Sequence, residues 1–151
     1  MENKIKDEYF KRTIKLLDNY TNSKVYIMNL EEEIDIIKHD DISISSCAPK
    51  DVVVFTNDIH SSTENISIER EMTIKRLTTK LRREKKIVDT IENSINSLPR
   101  NQKEVILLKY IKHNSWVEIS FNTHYSERWC KTLRNKAVRS IAYALFGDII
   151  F

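Results

Sequence analysis

One glycine and two prolines in 151 residues constrain this chain more than any other feature of its sequence. Tight turns, β-sandwiches and phosphate-binding loops depend on glycine and proline, so their scarcity favours long helices with few breaks. At this length the chain can hold one domain or two small helical modules. The sequence therefore predicts an all-α fold.

The C-terminal third carries the spacing of a helix-turn-helix. Trp116 and Ile119 place apolar side chains three residues apart on a short first helix, and a polar turn over 122–124 follows. Tyr125 is a candidate for a buried hinge. Ser126 can cap a second helix, because its hydroxyl can accept a hydrogen bond from an amide of the first turn. That second helix has an apolar face with steps of three and four residues: Cys130, Leu133, Ala137, Ile141 and Ala144.

The opposite face of this second helix carries groups that can recognise nucleic acid. At about 100° per residue, one narrow arc holds Arg128, Thr132, Asn135 and Arg139, with Lys131 and Lys136 beside it. Arginine and lysine can bind guanine or phosphate, and asparagine can bind adenine through two hydrogen bonds. A solvated helix face is the alternative interpretation. The preceding helix and turn favour DNA binding.

The charge distribution agrees with a basic C-terminal region. Residues 100–139 contain nine Lys and Arg against three Glu, a net charge of +6. Since the whole chain carries +3, the remaining residues total −3. A basic region next to a slightly acidic one is typical of a protein that meets DNA at one end.

The rest of the chain predicts an N-terminal helical region over 1–38, a polar linker over 39–66 and a long helix over 67–98. The N-terminal region consists of two helices, at about 3–20 and 24–38, that form a hairpin. Within the linker, the apolar run 52–55 is either a short strand or an anchor on a helix. Ser67 is the candidate N-cap of the long helix. Leu98 and Pro99 mark the boundary of the helix-turn-helix domain, 99–151.

The long helix has apolar residues in a heptad pattern: Ile74, Leu77, Leu81, Val88, Ile91, Ile95 and Leu98. The pattern indicates either a coiled-coil homodimer or packing against the N-terminal helices of the same chain. We favour packing within the chain, because the N-terminal helices also need an apolar partner.

Several function classes lack support in the sequence. It has no glycine loop, no metal-ligand spacing and no recognisable nucleophile with its base, so we expect a protein that is not an enzyme and uses no cofactor or metal. No apolar run is long enough for a membrane span, and the charged N-terminus lacks the apolar core of a signal peptide. We therefore expect a cytoplasmic protein without a membrane partner. Cys130 is expected to be a small buried hydrophobe.

The segment LPRNQKEVILLKYIKHNSWVEISFNTHYSERWCKTLRNKAVRSIA (98–142) resembles region four of bacterial sigma factors. The similarity lies in the Leu-Pro start, the helix that follows it, the W-x-E-I of the first motif helix and the serine that opens the second. More closely, the chain resembles phage regulators of the RinA/ArpU type, which carry such a domain behind an N-terminal helical region and a variable linker. This resemblance implies a transcriptional activator of late phage genes.

The resemblance also implies roles for individual residues. Contacts to base edges would come from Glu127, Arg128, Lys131, Thr132 and Asn135. Contacts to phosphates would come from Ser115, Ser126, Lys136 and Arg139. The core of the domain would consist of Trp116, Ile119, Tyr125, Cys130, Leu133, Ala137 and Ile141. The expected partner is double-stranded DNA, and RNA polymerase and a second copy of the chain are further candidates. Alternatives are a divergent sigma factor and a sigma-like protein that binds polymerase.

Overall fold

The computed structural model describes the backbone of residues 7–45 and 59–147, and the side chains of residues 7–39 and 65–147. Within these ranges the chain is helical throughout except for short connections, and it contains no strand. The all-α prediction is confirmed. The helices are α1 (Asp7–Asp18), α2 (Tyr20–Ser45), α3 (Ile59–Ser97), α4 (Arg100–Ile106), α5 (Trp116–Thr123) and α6 (Glu127–Phe146).

The described residues form two compact units. One consists of residues 7–24 and 85–147, and the other consists of the described parts of 25–84. Helices α2 and α3 each contribute to both units, whereas α1 and α4–α6 belong wholly to the first.

The first unit is built around α6, which contributes buried side chains to two apolar clusters. One cluster lies where α6 meets α1, the end of α3, and α4, and contains Leu17, Ile91, Ile95, Leu98, Ile106, Tyr110, Ala137, Val138 and Ile141. The other packs α5 against α4 and α6, and contains Val105, Leu108, Ile119, Cys130 and Leu133. Because both clusters fix α6, its outward face is held by a packed core.

The second unit is a pair formed by α2 and α3. Leu30 and Ile34 of α2 are buried with Leu77 of α3, and half-buried isoleucine and leucine side chains surround them. The apolar residues of α3 thus pack within the chain, as we favoured: Leu77 here, and Ile91 and Ile95 in the first unit. The homodimer stays a prediction. No helix in the described ranges has an apolar stretch long enough to span a membrane.

Helices α2 and α3 extend further than the sequence indicated. Residues 39–45 belong to α2 and residues 59–66 to α3, although all were expected in the linker. Ser67 therefore lies inside α3, and its expected role as an N-cap is wrong. Neither stretch contains glycine or proline, so nothing in them stops a helix. The run 52–55 lies outside the described residues, and the division of the chain into domains stays a prediction.

A π-helical turn connects α4 to the two C-terminal helices. It covers Leu107–Ile111, and the amide of Lys112 donates to the carbonyl of Leu107 at 3.0 Å. His113 follows with a positive φ of 55°, and the amide of Asn114 donates to the carbonyl of Leu108. The left-handed residue ends the helix sharply and brings the chain to Ser115, where α5 is capped.

Candidate nucleic-acid interface

Helix α5 begins with a capping box. The Ser115 hydroxyl accepts a hydrogen bond from the Glu118 amide at 3.3 Å, and the Ser115 amide donates to the Glu118 carboxylate at 2.7 Å. These bonds satisfy amides that have no partner within the helix. The backbone hydrogen bond from Ser115, followed by its side-chain hydrogen bond, lowers the pKa of Glu118. The start of α5 is therefore fixed by the local sequence.

The turn between α5 and α6 is made by a left-handed histidine. His124 has φ 57° and ψ 24°, and the chain then returns to extended backbone at Ser126. The Ser126 hydroxyl accepts from the Trp129 amide at 3.2 Å, so the predicted cap of α6 is confirmed. The turn therefore lies at 124–126, two residues later than the sequence indicated.

Tyr125 does not form the buried hinge that was expected, because 37% of its surface is exposed. Thr123 takes the inner position instead. Its hydroxyl donates to the Ile119 carbonyl at 2.7 Å and lies 3.5 Å from the sulfur of Cys130. The left-handed turn at His124 comes after Thr123, so the chain has already left the core when it reaches Tyr125.

The other expected core positions are confirmed, with one half-buried member. Fully or nearly fully buried are Ile119, Cys130, Leu133, Ala137 and Ile141, whereas Trp116 packs half-buried against them. Ala144 was expected on this apolar face and is exposed. The reason is that Ala142, with aromatic side chains of α1 beside it, is buried there instead. Packing against α1 rotates the buried side of α6 near its C-terminal end.

The outward face of α6 holds most of the residues expected to meet DNA. Arg128, Asn135, Lys136 and Arg139 are all exposed. Thr132 is half-buried, and its hydroxyl donates to the Arg128 carbonyl at 3.0 Å, which occupies its one hydrogen. Thr132 could still accept a hydrogen bond or contact a methyl group. We call the surface formed by these five residues the α6 outward face.

Glu127 and Lys131 were also expected to contact bases, but their side chains lie beside each other and near α5. Their side chains are 3.9 Å apart, and the Lys131 ammonium lies 5.7 Å from the centre of the Trp116 ring. Lys131 thus leans towards α5. Helix α6 contains no other carboxylate than Glu127. An anion approaching the α6 outward face therefore meets arginine and lysine, and the one carboxylate of that helix, Glu127, lies at its start beside Lys131.

Two cations near Trp116 were not among the predicted site residues. Lys109, from the π-helical turn, has its ammonium 4.9 Å from the centre of the Trp116 ring. The guanidinium of Arg134 lies 5.6 Å from the same ring. Lys109, Trp116 and Arg134 come from three elements, so spacing along the sequence could not group them. The positive charge of residues 100–139 was the signal that such a group exists.

These features define an all-α protein whose C-terminal part has helix-turn-helix geometry. The chain belongs to the family described as a protein of unknown function, DUF722, whose model matches residues 9–143. It is similar to an uncharacterized phage-related protein of Listeria innocua, with 33% identity over 91 residues. That match covers 60% of this chain, and the chain spans 60% of the relative's length. No solved structure matches the chain.

Proposed function

We propose that this protein is a sequence-specific DNA-binding regulator of transcription that inserts α6 into the major groove. The observation that carries the proposal is the α6 outward face: Arg128, Asn135 and Arg139 are exposed on a helix whose start is fixed by a capped turn. A helix presented in this way is the usual means by which small domains read base edges. The proposal includes a cytoplasmic protein that is neither an enzyme nor dependent on a cofactor.

The side chains of this face match the chemistry of base pairs and phosphates. An arginine such as Arg128 can donate two hydrogen bonds to guanine, and Asn135 can both donate to and accept from adenine. Lys136 and Arg139 supply positive charge for phosphates. Because such contacts release counterions from DNA, affinity should fall steeply as salt rises.

The phage context of the proposal has its own support. The relative from Listeria innocua is described as phage-related. The resemblance of residues 98–142 to sigma region four and to RinA/ArpU-type regulators points to promoters. We therefore propose activation of late phage genes as the biological role.

The test is fluorescence anisotropy with the full chain, on a duplex enriched from a random pool and on an unselected duplex. Arg128→Ala and Asn135→Ala should each reduce the preference for the enriched duplex by about 1–3 kcal/mol, that is about 5- to 150-fold. Lys136→Ala should weaken both duplexes equally. Arg76→Ala, on the exposed side of α3, is the matched control and should change neither. Unchanged preference in both α6 variants would show that this face does not read bases.

A protein partner is the second candidate, because α5 exposes two large apolar side chains. Val117 is 66% exposed and Phe121 is 80% exposed, and their spacing of four residues places them on one side of the helix. RNA polymerase is the partner implied by the resemblance to sigma factors. Capture of purified core polymerase that is abolished in Phe121→Ala, without binding to any duplex, would favour this alternative. Initiation with core polymerase and no other sigma factor would identify a divergent sigma factor.

A further inference from the structure

Three cations lie close to the ring of Trp116. The ammonium groups of Lys109 and Lys131 lie 4.9 Å and 5.7 Å from the ring centre, and the Arg134 guanidinium lies 5.6 Å from it. Lys109 comes from the π-helical turn, whereas Lys131 and Arg134 are successive-turn neighbours on α6. We call these four residues the Trp116 cluster.

The positive charge of the Trp116 cluster is only partly neutralised. Among the described side chains, Glu127 is the one carboxylate that pairs with it, at 3.9 Å from Lys131. The Lys109 ammonium donates to the neutral carbonyl of Asn114 at 3.3 Å. The Nε of Arg134 is buried without a hydrogen-bond partner among the described residues. The face of an aromatic ring attracts a cation, but three like charges close to one ring also repel each other.

We infer that the Trp116 cluster is a binding site for one phosphate group, and that in the complex this phosphate belongs to the DNA backbone beside the groove that α6 enters. This inference rests on the proposed function. Lysine ammonium groups and the planar guanidinium of arginine are the side chains that bind phosphate oxygens most strongly. Lys131 lies three residues from Arg128 and four from Asn135, so a phosphate here adjoins the α6 outward face.

The location next to the start of α5 strengthens the assignment. Trp116 is the first residue of α5 and follows the N-cap Ser115, so the capping box fixes the backbone position of Trp116. The half-buried Trp116 ring also attracts the three cationic groups and so holds them near one place. A phosphate would therefore meet donors that are already positioned, which lowers the entropic cost of binding.

The first test uses Lys109→Gln/Arg134→Gln, which removes two charges and leaves the predicted base-reading residues intact. Its affinity for every duplex should fall, and the slope of log affinity against log salt should become smaller by about 0.9, which is the contribution of one neutralised phosphate. The ratio of affinities between enriched and unselected duplexes should stay as in the wild type. The variant Lys109→Arg/Arg134→Lys keeps both charges and should retain most of the slope. An unchanged slope in the glutamine variant, with a helical circular dichroism spectrum, would overturn the inference.

The second test detects the phosphate site without DNA. The chain has two tryptophans, so Trp129→Phe leaves Trp116 as the only indole probe. Inorganic phosphate should change the Trp116 fluorescence saturably, chloride at equal ionic strength should not, and Lys109→Gln/Arg134→Gln should abolish the response. No response in the protein with intact cations would overturn the site. A phosphate response in a protein that binds no duplex would retain the site and reject both its assignment to DNA and the proposed function.

Discussion

The helix-turn-helix region, α4–α6, and the α2–α3 pair of the second unit hold their helices in different ways. In α4–α6 the helices have 7, 8 and 20 residues, two apolar clusters meet on α6, and serine hydroxyls cap α5 and α6. In the α2–α3 pair the helices have 26 and 39 residues, and only Leu30, Ile34 and Leu77 are buried in its described core. The starts of α5 and α6 are fixed by local hydrogen bonds, whereas the α2–α3 pair depends on a narrow line of apolar contacts.

This difference bears on the proposed function, because a helix that reads DNA must present its side chains in one orientation. The capped turn and the two clusters provide that orientation for α6. Among the described residues the α2–α3 pair buries fewer side chains, and opening it should cost less free energy than opening the α4–α6 region.

The largest effect is expected from core truncation. Ile119→Ala removes a fully buried side chain beneath α5 and should lower the free energy of unfolding of the first unit by about 3 kcal/mol. Ile34→Ala, in the α2–α3 pair, should instead accelerate amide hydrogen exchange mainly within residues 25–84. Denaturant titration and hydrogen exchange measure the two responses. An equal increase in exchange throughout the chain for Ile34→Ala would mean that both units unfold together.

A pair of serine substitutions tests the helix ends. Ser126→Ala removes the cap of α6 and should cost about 1 kcal/mol in thermal or denaturant unfolding. Ser67→Ala should have the opposite sign and stabilise by up to about 0.5 kcal/mol, because alanine is the better helix former inside α3. A destabilisation of about 1 kcal/mol in Ser67→Ala would show that a helix begins there after all.

The same pair of serines shows how much of the fold follows from sequence. At Ser126 the polar turn, the cap and the apolar spacing agree, and the start of α6 was predicted correctly. At Ser67 only composition suggested a boundary. Serine, threonine and asparagine prefer caps and turns but do not end a helix, whereas glycine and proline do. The helical fold and the start of α6 were therefore predictable, and the ends of α2 and α3 were not.

The candidate site was predictable only where it lies on one helix. The exposed positions Arg128, Asn135 and Arg139 follow from helical periodicity alone. Tyr125 was misplaced because its burial depends on the turn at His124, which no spacing rule describes. The Trp116 cluster consists of residues from the π-helical turn, α5 and α6, so it could be recognised only from the tertiary structure.

Residues with left-handed backbone provide a smaller test of the difference between the α4–α6 region and the α2–α3 pair. Positive φ values occur among the described residues at His113, His124 and Gly147, and none lies in the α2–α3 pair. His124→Gly should stabilise the first unit by about 0.5 kcal/mol, since glycine avoids a cost of about 1 kcal/mol and loses part of it through its freer unfolded chain. His39→Gly, inside α2, should destabilise by a few tenths of a kcal/mol. Thermal unfolding of both variants measures the signs, and a destabilised His124→Gly would contradict the role given to the turn.

The smallest expected effect is a pH dependence at the start of α5. Hydrogen bonds from Ser115 lower the pKa of Glu118 in the folded chain. The folded state therefore favours the ionised form of this carboxylate more than the unfolded state does. The resulting stability is present above the unfolded pKa, which is about 4.3 for glutamate, and is lost as the pH falls through the folded value. Glu118→Gln should therefore weaken the dependence of the unfolding midpoint on pH below about 4.3, and Ser115→Ala should return the NMR-measured pKa of Glu118 towards its ordinary value. An ordinary pKa for Glu118 in the wild type would mean that the capping box does not persist in solution. The start of α5 would then be fixed by packing alone.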